Sequence, residues 1–201
     1  MARPRKFDED DVVAAARDQF WSAGYAGTSL DDLTAATGLG RGSLYAAFGD
    51  KHDLFLRTLD DYTATVIAGV TRDLRNPDAS GIERLAAHLR NAAAVTAADS
   101  RRGCLVAKSA AELGGTDKEV LQRVRRALTT YQGDLRAVIE QAQQEGDIAA
   151  DADADALALL VLTMLRGSEA LRKAGFSPAK MRTVVDQTLA MLPRASAAAR
   201  S

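Results

Sequence analysis

The chain is poor in the residues that build catalytic or covalently braced sites. One cysteine, Cys104, rules out an internal disulfide and fits a reducing compartment. The two histidines, His52 and His88, fall in different predicted helices, and no zinc-ligand spacing links them to each other or to Cys104. Four prolines and 5% aromatic residues leave little to interrupt helices. No apolar run approaches the roughly 18 residues of a membrane span. The opening MARPRKFDED lacks the apolar stretch of a secretory signal. A cytoplasmic location away from membranes is therefore expected.

Short motifs supply no reaction chemistry either. The glycines of Leu39-Gly40-Arg41-Gly42 and Leu113-Gly114-Gly115 lack the strand-then-helix context of a phosphate loop. Asp151, Asp153 and Asp155 alternate as calcium ligands do, but the glycine and closing glutamate of such a loop are missing, which leaves a solvated acidic turn. No catalytic residue, metal or cofactor is expected.

What the chain has in quantity is Ala, Leu, Arg, Asp and Glu, arranged with helical period. The punctuation predicts an all-α protein of about nine helices. The first spans about 8–23, with Val12, Val13, Ala16 and Phe20 on one face. Two short ones follow at 30–37 and 41–48. A long fourth helix starts near Asp50, carries Leu54, Phe55, Leu59, Tyr62, Val66, Ile67, Val70 and Leu74, and ends before Asn76-Pro77. Further helices are expected over about 80–98, 102–113 and 116–146. In the last of these Thr116 and Glu119 read as a capping box. Two more follow the acidic turn and Ser177-Pro178, a cap with proline at the first helical position.

Residues 28–51, TSLDDLTAATGLGRGSLYAAFGDK, carry the functional signal. Three residues (Gly38, Leu39, Gly40) allow only a tight turn between two short helices, so the helices cross steeply. Leu33, Ala36, Leu39, Leu44 and Phe48 form the expected inner side. Arg41, Ser43 and Tyr45 stay outside, where donors can meet phosphates and base edges. Spacing alone also fits a plain αα-corner. The flanks add Phe20, Gly24, Tyr25, Thr28 and Ser29 before the motif, and Lys51 and Leu54 after it.

With Leu33, Ala36, Gly38, Leu39, Gly42, Ser43, Leu44, Tyr45 and Phe48, this register over residues 8–56 resembles the tetracycline-repressor (TetR) family of bacterial regulators. The resemblance implies an N-terminal three-helix helix-turn-helix domain and a C-terminal helical domain for ligand binding and dimerisation. The expected division is 1–50, 51–193 and a loose tail, 194–201. It further implies a homodimer on double-stranded, palindromic operator DNA, acting as a repressor that a small molecule releases. Expected DNA contacts are Arg5 and Lys6 in the arm, Thr28 or Ser29 at the second helix's cap, Arg41, Gly42, Ser43 and Tyr45, and Lys51. Gly40 and Ala46 stand where the family often has hydroxyl, polar or aromatic side chains, which puts two contacts in doubt. The competing class is a binding protein of the same fold without operator recognition.

Charge is neutral to this reading. Residues 1–55 hold six bases (Arg3, Arg5, Lys6, Arg17, Arg41, Lys51) against nine acids, a balance of −3. Phosphate contacts are local, however, and five of the six bases cluster in the arm, at Arg41 and at Lys51. Asp8, Glu9, Asp10 and Asp11 suit the start of a helix, where the dipole favours acids.

The segment from Ala156 to Leu165 is apolar over more than one face, which predicts pairing with a second copy. The expected interface is Leu157, Leu160, Val161, Met164, Val185 and Leu189. An effector pocket among the later helices is expected to draw on Leu89, Ala93, Cys104, Leu105, Tyr131 and Met164, a mostly apolar set suited to a hydrophobic ligand. Each of these is also an ordinary core residue. Cys104 has two readings. It is either a small buried hydrophobe, or a thiol in the first turn of a helix, with Arg101, Arg102 and Lys108 favouring the thiolate of an electrophile or oxidant sensor.

Overall fold

The computed structural model describes residues 7–94 and 102–195. Its helices are α1 (Glu9–Ala23), α2 (Leu30–Thr37), α3 (Arg41–Phe48), α4 (Lys51–Tyr62), α5 (Gly81–Ala93), α6 (Leu105–Leu113), α7 (Lys118–Gln144), α8 (Ala154–Lys173) and α9 (Pro178–Met191). Among the described residues the one extended pairing is an isolated antiparallel bridge between Ile148 and Arg194. The fold is all-α. No helix among these residues is long and apolar enough to cross a membrane.

Except at α3 and α6, which open at Gly40 and Cys104, the helices start where a short polar side chain closes the first turn. Ser29 with Asp32, Asp50 with Asp53, and Ser80 with Glu83 form complete capping boxes at α2, α4 and α5. Ser177 caps α9 ahead of Pro178. At α7 the cap differs from expectation. The Asp117 carboxylate, not the Thr116 hydroxyl, accepts from the Glu119 and Val120 amides at 3.0 Å each. These donors, the Val120 amide foremost, hold the Asp117 carboxyl below its ordinary range. Asp153 does the same work for α8 within the acidic turn.

The expected uniform helix from Asp50 to Leu74 is a composite. After α4 the backbone runs as a π segment, Thr63–Ile67, one α turn, Ala68–Val70, and a 3₁₀ segment, Thr71–Arg75. Four of the five π residues are β-branched, and such side chains crowd the preceding turn. The Thr63 and Thr65 hydroxyls also donate back to the Leu59 and Asp61 carbonyls, competing with the backbone ladder. Val70, expected inside, is exposed.

The described residues form two compact units, divided within that π segment. The first runs to Val66 and takes in Cys104–Ala127. Its core joins Val12, Val13, Ala16 and Phe20 of α1 to Leu54, Phe55 and Leu59 of α4, with Phe20 and Phe55 edge to face at 4.9 Å. α6 fastens the end of α1. Lys108 Nζ donates to the Trp21 and Ser22 carbonyls at 2.6 and 3.2 Å. Glu112 accepts from the Tyr25 and Ala26 amides at 3.1 and 2.6 Å. A cation on the last carbonyls of a helix satisfies groups that have no intrahelical partner and complements the dipole.

The second unit holds Ile67–Gly103 and the chain from Leu128 onward. Here α5 lies so close to α7 that a Cβ on Gly81 would stand 2.6 Å from the Ala142 nitrogen and 2.7 Å from the Val138 oxygen. Only glycine permits that approach. Arg84, buried, bonds the Leu74 carbonyl at 3.0 Å and also Gln141. Near the chain end, Ala149 donates to the Pro193 carbonyl at 2.9 Å, beside the bridge between Ile148 and Arg194. The rest of the expected tail, 196–201, lies outside the described residues, as does the stretch beyond Ala94 where the fifth helix was expected to continue.

Candidate nucleic-acid interface

The site is built by α2 and α3. α2 ends because Gly38 takes φ 70°, the left-handed region that glycine adopts without strain. Three residues later α3 begins, with Leu44 and Phe48 one turn apart and buried, facing Leu33. Leu39 is half-buried. Ala36, expected on the inner side, is exposed. α2 buries Leu33 and half-buries Leu30, Thr34 and Thr37, so the inward row runs i, i+3, i+4, i+7 and passes Ala36 by.

This packing leaves Arg41, Gly42, Ser43, Tyr45 and Ala46 on the outer side of α3. Tyr45 is 46% exposed, next in the chain to buried Leu44. The Arg41 guanidinium is not idle: its Nη2 lies 2.7 Å from Asp31 Oδ1 on α2. The hydrogen bond and the charge of Asp31 raise the Arg41 pKa further.

The two candidate caps of α2 separate. Ser29 is exposed, accepts from the Asp32 amide and donates its hydroxyl to Asp32 at 2.6 Å, which holds the Asp32 carboxyl below its ordinary range. Thr28 is buried and donates to the Gly24 carbonyl at 2.7 Å. Its hydroxyl braces the turn between α1 and α2 and does not face outward. Lys51, at the start of α4, is half-buried with Nζ 4.3 Å from the centroid of the Tyr25 ring, a cation–π contact that fixes the direction of the ammonium. Burial pushes the Tyr25 hydroxyl up, with Asp50 and Asp117 adding to the effect. Arg5 and Lys6 lie outside the described residues.

Asp31 and Tyr25 were not singled out by their sequence positions as partners of Arg41 and Lys51. The pairs lie 10 and 26 residues apart in the chain, too far for helical spacing to reveal. Lys108 and Glu112 carried a misleading signal, because their i, i+4 spacing suggests a mutual ion pair, while both bind the backbone at the end of α1.

Of the residues expected to form a second-copy interface, Val161, Val185 and Leu189 are buried within the chain. Leu157 and Met164 are half-buried and Leu160 is 57% exposed, next to exposed Leu159. One face of α8 fills its own unit's core, and the excess apolar residues lie on the other. The expected effector residues divide between units. Cys104 and Leu105 belong to the first, and Leu89, Ala93, Tyr131 and Met164 to the second. All but Met164 are buried.

Cys104 is at the N-cap of α6, with extended backbone at φ −95°, and not in its first turn. It is 7% exposed. Lys108, expected to favour its thiolate, directs its ammonium to the end of α1. Asp50, His52 and Asp53 place one ligand atom each within 4.8 Å of one another. The two aspartates are the capping box of α4, and His52 Nε2 lies 2.6 Å from Asp117.

The comparisons with known proteins agree with this architecture. Residues 12–58 match the model of bacterial regulatory proteins of the tetR family, and residues 81–188 match the tetracyclin repressor-like C-terminal domain. The HTH-type transcriptional repressor ComR of Escherichia coli K12 is 28% identical over 192 residues, 95% of this chain and 91% of ComR. A cysteine mutant of the TetR family regulator CifR, solved with 26-bp double-strand operator DNA, is 34% identical with a TM-score of 0.80, covering 95% of this chain and 100% of that one. The reduced form of Escherichia coli NemR shares the fold at 14% identity, with a TM-score of 0.80 over 93% of this chain and 97% of NemR. With both family models matched and a relative above 30% identity aligned nearly end to end, the chain belongs to the TetR family of bacterial regulatory proteins: it is a DNA-binding transcription regulator and not an enzyme.

Proposed function

We propose that this regulator is a repressor that binds a palindromic operator as a homodimer and leaves it when a small hydrophobic molecule occupies the C-terminal region. The observation that carries the reading is the outer side of α3. Arg41, Gly42, Ser43, Tyr45 and Ala46 are all exposed there, around the single buried Leu44. A basic, hydroxyl-bearing helix face of this kind suits a major groove. Operator DNA bound by CifR and the repressor function of ComR support it from outside. Residues 1–50 would supply the DNA-binding part and 51–193 the ligand-binding and dimerising part. Leu157, Leu160 and Met164, together with Leu159, would form the apolar contact between copies, and the effector would sit among Leu89, Ala93, Tyr131 and Met164.

Arg41→Ala should weaken operator binding by roughly 1–3 kcal/mol if Arg41 reads a base. Lys51→Ala should weaken operator and unrelated duplexes about equally and reduce the salt dependence, because a phosphate contact carries no sequence information. Fluorescence anisotropy on a duplex enriched by the wild-type chain from a random pool, against a shuffled duplex, measures both. Unchanged operator affinity in both folded variants would overturn the proposal.

A further inference from the structure

Arg41 is the only basic residue between Leu30 and Phe48, so the two helices of the motif bring a single cation to their outer side. That cation is already engaged in the absence of DNA, 2.7 Å from Asp31. The two aspartates of the first turn of α2 have separate work. Asp32 closes the capping box with Ser29. The Asp31 carboxylate takes no part in that box. It meets Arg41 across the motif, and both side chains are mostly exposed, 76% and 59%. An acid beside the one cation that α2 and α3 present weakens attraction to every phosphate that approaches Arg41.

We propose that Asp31 is a specificity-determining residue, which holds Arg41 back from arbitrary phosphates and gives it up where the operator offers a better acceptor. The inference rests on the reading of α3 as the helix that meets DNA. On an unrelated duplex, Arg41 would exchange one anionic oxygen for another, while Asp31 is left facing the phosphates unpaired. The net gain is small or negative. On the operator a guanine edge presents two acceptors, O6 and N7, to the planar fork of the guanidinium. That contact is stronger than the exposed pair it replaces, because exposed ion pairs contribute little in water. The acid thus lowers affinity for all DNA and raises the ratio between right and wrong sites.

The test uses Asp31→Asn, which keeps the size and an acceptor and leaves the Ser29–Asp32 cap in place. Arg41→Ala and the double variant accompany it, with a thermal melt to establish folding. The probes are a duplex that the wild-type chain enriches from a random pool and a shuffled duplex of equal length. Asp31→Asn should bind the shuffled duplex about threefold to tenfold more tightly at low salt. The slope of log K against log salt should steepen by about 0.9, the signature of one additional phosphate neutralised. Operator affinity should rise by less, so that discrimination falls.

In the Arg41→Ala background the change of slope and the loss of discrimination should vanish, leaving only the affinity gained by removing the repulsion of an unpaired Asp31. An unchanged shuffled-duplex affinity and slope would overturn the inference, and so would a loss of discrimination that persists in full without Arg41, since Asp31 would then act by charge repulsion alone. A loss of operator affinity in Asp31→Asn would also overturn it, because Asp31 would then be orienting Arg41 as a reader. If Arg41→Ala itself binds the operator like wild type, the underlying reading of α3 fails instead, which separates the two failures.

Discussion

Acid should destabilise this protein through His88 by an amount that can be worked out and isolated. His88 is 2% exposed on α5, and its Nε2 lies 2.6 Å from the Tyr131 hydroxyl of α7. The ring also hydrogen-bonds the Val70 carbonyl. With the other ring nitrogen donating to Val70, Nε2 accepts from the Tyr131 hydroxyl, an arrangement made for neutral imidazole. Burial pushes the His88 pKa from 6.5 down to about 4. Asp73, the Val70 carbonyl and Asp134 pull the other way, Arg166 adds to the depression, and burial wins.

The unfolded chain therefore binds a proton at this ring well before the folded one does. Stability is intact above about pH 6.5 and is lost as the pH falls towards 4, where the loss levels off. A gap of about 2.5 at roughly 1.4 kcal/mol each gives a loss of about 3 kcal/mol. Asp117, Glu145, Glu83 and Asp32, whose carboxyls are held below their ordinary range, lose stabilisation in the same direction. Wild type alone is thus not diagnostic. His88→Gln keeps an acceptor for Tyr131 and a donor for Val70 but cannot titrate. Urea unfolding of both proteins from neutral pH to about pH 4 should show wild type losing roughly 3 kcal/mol more than the variant. Two histidines give only two ring signals by NMR, which makes the direct titration of His88 readable as well. Parallel pH profiles, or a His88 ring that titrates near 6.5, would refute the reasoning.

Further expectations concern packing and association. Leu160→Glu should leave the fold intact and shift the protein towards monomer by sedimentation, whereas Val161→Glu should unfold it, since that side chain is 0% exposed. A Leu160→Glu protein that remains dimeric would place the interface elsewhere. Gly81→Ala should cost roughly 1–3 kcal/mol in chemical unfolding, because its methyl would meet the Ala142 and Val138 backbone and not a side chain that can turn away. Native Cys104 should resist maleimide until the chain is denatured, given its burial; rapid labelling of the folded protein would revive the electrophile-sensing reading.

The helix-turn-helix was legible in the sequence because its determinants are local. Gly38 ends α2, Ser29 and Asp32 begin it, and Leu44 and Phe48 repeat at helical spacing, all within about twenty residues. The same locality made the cap of α9 readable, and it failed at α7 only by one position. The composite after α4 was hidden because a continuous apolar stripe looks alike in α and π backbone, although the run of β-branched residues was its trace.

Partners brought together by folding were not legible. Arg41 and Asp31 meet across a turn, His88 and Tyr131 across two helices, and Lys108 reaches carbonyls 86 and 87 residues away. Periodicity says that a helix such as α8 has apolar faces, but not which neighbour covers each one. That choice placed Val161 in the core and left Leu160 at the surface. Helix ends follow from nearest-neighbour chemistry and are written in the sequence itself; burial and charge pairing depend on which segments the whole chain can bring together, and only the tertiary structure decided them.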